Sequence, residues 1–213
     1  MSKGFKESEA QIIVEKLVEM IHQNRSYLSE IDGLIGDGDH GINMDKGFTI
    51  AAKRLEGQQL GLSGSLRVLG DVLIEEIGGS MGPLYGTFFK RMARLSKDKE
   101  IIDSFTFQQM LESAVDGLNQ IGNAKVGDKT LMDSLIPALE ALQKANRENK
   151  EFTTALNEME EAAKKGWEST KDLVAKVGRA SRLGERSRGV LDAGATSCYL
   201  ILKTFSEEIK KLL

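Results

Sequence analysis

The chain has 213 residues, long enough to bury a sizeable core. Hydrophobic residues make up 40% and charged residues 29%, which is ordinary for a folded domain and speaks against disorder. A net charge of −3 gives no field to gather nucleic acid or an anionic membrane surface. The one cysteine, Cys198, allows neither an internal disulfide nor a zinc site of its own.

The chain opens on polar Met-Ser-Lys-Gly-Phe-Lys-Glu rather than on a secretion signal. No apolar run reaches the roughly 18–20 residues that span a bilayer, so no membrane role and a cytoplasmic location are expected. Helical periodicity then dominates. Ile13, Leu17, Met20 and Ile21 mark a first helix face, and Leu66, Leu69, Leu73 and Ile77 another. Phe107, Met110, Leu111, Ala114, Val115, Leu118 and Ile121 form one continuous stripe. The last helix repeats it with Cys198, Ile201, Leu202, Phe205, Ile209 and Leu212. Further helices are predicted over about 43–55, 86–96, 130–145 and 153–175. No stretch alternates as a half-buried strand would. Eight or so amphipathic helices with short links predict an all-α bundle or helical barrel, built as a single domain over 1–213.

Glycine gathers in four clusters, Gly33 to Gly41, Gly78 to Gly86, Gly122 to Gly127 and Gly178 to Gly194, each expected between helices. In an up-and-down arrangement, loops separated by two helices emerge at the same end and converge on one site. Pro83 is expected in the second of these loops, and Pro137 at the start or a kink of a helix.

The first cluster carries Asp32, Asp37 and Asp39. Magnesium binds a few carboxylates together with phosphate oxygens and water, and the intervening glycines let carboxylates two apart face a common centre. Solvated turn aspartates would explain any one of these residues more simply than all three. Gly36-x-Gly38-x-x-Gly41 matches the dinucleotide fingerprint in letters only. No strand precedes it, and its two acids would face a pyrophosphate with no cation between. An EF-hand fails at Gly41 and Phe48, where oxygen ligands are required. An acidic loop suits phosphate only if metal ions carry the phosphates, which points to phosphoryl transfer through a magnesium-bound nucleotide.

Ser80 suits either a helix cap or a phosphate contact. Gly127-Asp-Lys-Thr130 offers a cap in Asp128, a cation in Lys129 and a hydroxyl in Thr130. Four arginines stand between Arg179 and Arg188, a solvated basic loop or a phosphate clamp. Asp192 reads as the cap of the last helix. His40 bonds a ligand or caps a turn, and His22 is structural. Two histidines leave no room for a Ser-His-Asp or Cys-His arrangement.

Taken together, Ile35-Gly-Asp-Gly-Asp-His-Gly41, Gly78-Gly-x-x-Gly-Pro-Leu-Tyr-Gly-Thr-Phe-Phe89, Gly127-Asp-Lys-Thr130, Gly178-Arg-Ala-Ser-x-Leu-Gly-Glu-Arg-Ser187 and Asp192-x-Gly-Ala-Thr-Ser197 resemble the L-subunit family of dihydroxyacetone kinases. The resemblance runs from about residue 8 to the C-terminus. It implies an eight-helix up-and-down barrel with the nucleotide site in the loops at one end. Asp32, Asp37 and Asp39 would bind two magnesium ions. ADP or ATP would lie against His40, Gly41, Ile42, Asn43, Ser80, Met81, Gly122, Thr130, Leu131, Arg179, Asp192, Ala193 and Gly194, with Arg179 able to stabilise the moving phosphoryl group. A phosphohistidine protein of the phosphotransferase system would recharge the bound ADP. A partner subunit would hold dihydroxyacetone on its own histidine, placing the chain in glycerol metabolism. A transcription regulator is a further partner the resemblance admits. Met81 stands where the family usually has a small residue, Ala193 where proline is frequent, and Leu131 where methionine is common. Two alternatives remain at this point: an ATP-exchanging kinase subunit for a related short ketose, and a non-enzymatic ADP-binding regulator.

Overall fold

The computed structural model describes residues 4–213. The polar start and the 1–213 boundary expected above include residues 1–3, which lie outside the described residues. Eight α-helices make up the described chain: α1 (Gln11–Ile35), α2 (His40–Leu55), α3 (Gly61–Glu76), α4 (Met81–Ser96), α5 (Ser104–Ile121), α6 (Met132–Arg147), α7 (Phe152–Ser169) and α8 (Ala193–Leu212). The two strands, β1 (Phe5–Lys6) and β2 (Ile101–Ile102), pair antiparallel, Phe5 opposite Ile102. No helix among the described residues is long and apolar enough to cross a membrane.

Each helix packs on the next, and α8 packs back on α1, so the ring closes into an all-α barrel. The predicted stripes face inward. Phe107, Met110, Leu111 and Ala114 of α5 are buried, as are Ile201, Leu202, Phe205 and Ile209 of α8. Phe107 bridges α5, α7 and α8 through ring contacts with Phe152 and Phe205, at 6.2 and 5.8 Å between centroids. Cys198 is buried and free, as a small core hydrophobe.

Alternation of direction leaves the links α1–α2, α3–α4, α5–α6 and α7–α8 at one end. These links carry the four glycine clusters, as the up-and-down arrangement requires. The boundaries differ from the expected ones in two places. Helix α4 begins at Met81, so Pro83 lies in its first turn rather than in a loop. A helix's first turn needs no N–H from that position, so proline is tolerated. Pro137 stands inside α6, which sets aside the helix start of the two expected placements and leaves the interior one. Helix α7 stops at Ser169 and gives way to a 3₁₀ turn, Thr170–Asp172, well before residue 175.

Candidate nucleotide and metal site

Helix α1 extends one turn further than a loop reading suggests, so Asp32 sits on its last turn, and α2 starts at His40. Only residues 36–39 connect them. Gly38 has φ +77°, a left-handed conformation that glycine adopts at no steric cost. A side chain at Gly36 would stand 2.5 Å from Asp32 Oδ1, so glycine there leaves room for that carboxylate. The consequence is convergence: one ligand oxygen from each of Asp32, Asp37 and Asp39 lies within 4.8 Å of the others. That donor set fits a hard divalent cation. Asp37 also pairs with Arg179 from the far side of the opening.

The three carboxylates edge a cleft of about 690 Å³ at this end of the barrel. Asp32, Asp37, Asp39, His40, Asn43, Ser80, Met81, Gly122, Thr130, Leu131, Arg179, Asp192, Ala193 and Gly194 all line it. Gly41 and Ile42 do not. Gly41 is buried where α2 crosses α1, and Ile42 is exposed outside the opening. Ser80 stands at the α4 N-cap position but makes no side-chain cap bond. The N–H groups of the α4 first turn therefore have no capping oxygen from Ser80, the arrangement in which helix N-termini receive phosphate.

His40 is drawn into a polar network. Its backbone N–H donates to Asp32 Oδ2 at 3.3 Å, and its Nε2 lies 2.9 Å from the Ser197 hydroxyl. The Tyr85 hydroxyl is 2.6 Å from Ser197 Oγ and donates to the Gly194 carbonyl at 3.0 Å. Burial lowers the imidazole to about 4, the nearby Asp32 charge opposing it only in part, so the ring is neutral at physiological pH. Neither Tyr85 nor Ser197 was marked as polar machinery in the sequence. Their 112-residue separation has no local signature.

The α5–α6 link is organised differently from the expected cap. Asp128 accepts the Lys125 N–H at 2.8 Å and pairs with Lys176 at 3.3 Å, but does not cap α6. Asp133, buried and unmarked in the sequence, holds the turn: its two oxygens accept the N–H groups of Gly127 and Thr130 at 2.5 and 2.7 Å. Lys129 is a buried strut rather than a cation facing solvent, with its ammonium turned onto backbone carbonyls of residues 170–190. Burial lowers its pKa, with Asp192 opposing that most.

Asp192 caps α8 as expected, accepting the Ala195 N–H at 2.7 Å. Enclosure pushes its carboxyl up to about 7, against the Ala195 bond that pulls it down. The stability lent by such a raised group is complete below its ordinary value of 3.8 and lost as pH rises through about 7. Wild-type stability should therefore fall between about pH 4 and pH 7 from this group. Asp192→Asn, which keeps a capping oxygen, should flatten that part of the profile in urea unfolding measured across the window.

The DAK2 domain family matches residues 34–207. The ADP-binding subunit DhaL of a PEP-dependent dihydroxyacetone kinase from Listeria innocua is 35% identical over 204 residues, covering 93% of each chain. The corresponding Escherichia coli subunit is 35% identical over 188 residues, covering 87% of this chain and 89% of its own. The crystal structure of the C. freundii dihydroxyacetone kinase in complex with AMP-PNP and Mg2+ superposes with a TM-score of 0.68 at 25% identity. That match takes in 97% of this chain and 35% of the C. freundii chain.

Proposed function

This chain belongs to the DAK2 domain family, and we propose that it is the nucleotide-carrying subunit of a dihydroxyacetone kinase of the phosphotransferase-system type. In that role a phosphoryl group passes from a phosphohistidine protein to ADP held in the cleft, and from the resulting ATP to dihydroxyacetone on a partner subunit. The observation that carries it is three converging carboxylates at the edge of a nucleotide-sized cleft, in a chain whose relatives are named ADP-binding subunits.

Asp32, Asp37 and Asp39 would hold magnesium, and three carboxylates are enough to serve two ions. Bound metal supplies neutralisation of phosphate charge. The chain's own groups do the rest. Ser80 and the first turn of α4 offer hydroxyl and N–H donors to phosphate. Arg179, its side chain 64% exposed beside the acidic loop, offers a cation to the transferring group. Met81 and Leu131 give the cleft an apolar wall suited to the nucleoside. The neutral His40 ring, fixed on Ser197, serves as a positioned hydrogen-bonding group rather than as a nucleophile. In this assignment Gly41 contributes by packing and Ile42 by presenting an apolar side chain outside the opening. The barrel acts as one nucleotide-binding domain in the cytoplasm, within glycerol metabolism, and both its phosphoryl donor and its sugar-binding partner dock on the cleft end.

Calorimetry of the purified chain with ADP tests the reading. Tight binding is expected with magnesium and none with EDTA. Binding that is equal under both conditions, or absent under both, would overturn it.

A further inference from the structure

Arg179 stands on none of the eight α-helices but opens a kinked 3₁₀ segment, Arg179–Ser187. It belongs to the long link between α7 and α8, where only Ala175 and Ser187 are buried between residues 171 and 191. So little buried surface cannot hold such a segment in one place. The anchor comes from another part of the chain. The Lys129 ammonium donates to the carbonyls of Thr170 at 2.8 Å and Leu173 at 3.2 Å on the outgoing limb. It also donates to those of Ser187 at 2.7 Å and Val190 at 2.5 Å on the returning limb. Three N–H groups thus serve four carbonyls, and the residue is only 2% exposed. Lys129 itself takes φ +65°, a left-handed conformation unusual outside glycine, which aims the side chain back into this link. Lesser ties close the same base: Gly189 N–H to the Lys171 carbonyl at 2.7 Å, and Ala175 N–H to Ser187 Oγ at 2.9 Å.

We propose that Lys129 is a positioning residue for the nucleotide site: by tying both limbs of the 170–190 link, it sets where Arg179 stands against the acidic loop. The role rests on the nucleotide-carrier reading. The packing of the eight helices does not require it, because the four carbonyls belong to the link between α7 and α8.

The test compares wild type, Lys129→Met, Arg179→Ala and the double variant, all as full chains. Hydrogen exchange of ligand-free protein should show faster exchange over residues 171–189 in Lys129→Met, with the eight helices unchanged. Affinity for magnesium–ADP should fall about tenfold or more in Lys129→Met, the scale on which orienting partners of site residues act. That loss should largely vanish in the Arg179→Ala background, because the two residues then act as a unit. Unchanged exchange over 171–189, or additive losses, would overturn the proposal. If Lys129→Met fails to fold, Lys129→Gln, which keeps two donors, takes its place with the same expectations. Failure of both to fold would assign Lys129 to the core and equally overturn it. Wild type that binds no magnesium–ADP would sink the carrier reading itself, and the positioning role with it. Binding by wild type with additive losses would sink only the role of Lys129.

Discussion

Asp37→Ala is expected to abolish magnesium-dependent nucleotide binding while leaving the barrel folded. Asp37 lies in the four-residue connection between α1 and α2, with its side chain 39% exposed. Its one strong contact is the ion pair with Arg179, itself largely exposed. Surface pairs of this kind contribute roughly 0–1 kcal/mol, so ligand-free thermal stability should barely move. The site, in contrast, loses a third of its carboxylates. Removing an orienting partner of a metal ligand already costs about 10–100-fold in affinity, so loss of a ligand should cost at least ~100-fold. The two effects separate in one assay. Wild type should gain melting temperature on addition of magnesium and ADP, as ligand binding to the folded state requires, and Asp37→Ala should gain none. An undiminished gain would remove Asp37 from the site.

Gly41→Ala should do the opposite and damage fold and site together. A methyl group at Gly41 would stand 2.0 Å from the Arg25 carbonyl and 2.8 Å from both the N–H and the hydroxyl oxygen of Ser29. These are mostly backbone atoms of α1, so α1 and α2 must part. Forced overpacking of this kind costs about 1–3 kcal/mol or more. At this chain length that lowers the melting temperature by roughly 2–4 °C for each kcal/mol. Asp32 ends one of these helices and Asp39 precedes the other, so separation also spreads the carboxylates, and magnesium–ADP affinity should fall with stability. Gly33→Ala is the control. Its new methyl would meet only the Gly38 Cα, at 3.7 Å, an ordinary contact. Thermal unfolding of the two variants should show a clear drop for Gly41→Ala and none for Gly33→Ala.

The barrel was legible because its information is periodic and local. Leu66, Leu69 and Leu73 repeat at helical spacing, and all are buried. Ile121 continues the α5 stripe yet is 47% exposed, because the helix ends there, at the cleft end of the barrel. The metal triad was legible for a related reason: Asp37 and Asp39 are two residues apart, and Asp32 is one short turn away. Helix starts were harder. Gly82 and Pro83 read as loop residues, but Gly82 is needed for contact, since a methyl there would stand 2.1 Å from the Ile77 carbonyl. A proline in a first turn breaks nothing.

The rest of the site is assembled from distant pieces that no spacing rule connects. His40 meets Ser197 across 157 residues, and Lys129 meets Val190 across 61. In the sequence Lys129 is simply a cation beside a cap and a hydroxyl in Gly127-Asp-Lys-Thr130. Only the fold brings four carbonyls to its ammonium. Asp133 hid in the first turn of α6, where an acid is unremarkable until both its oxygens are found bonded to the preceding link.

As a carrier, this chain should take up and pass on the phosphoryl group on a nucleotide that it holds. The most direct measurement loads the purified chain with magnesium and base-labelled ADP, removes free nucleotide, and adds a phosphohistidine donor protein. The bound ADP should become ATP on the protein, and should return to ADP, with dihydroxyacetone phosphate formed, once the sugar-loaded partner subunit is supplied. Label that remains ADP throughout, despite a competent donor and partner, would rule out a carrier role for this chain.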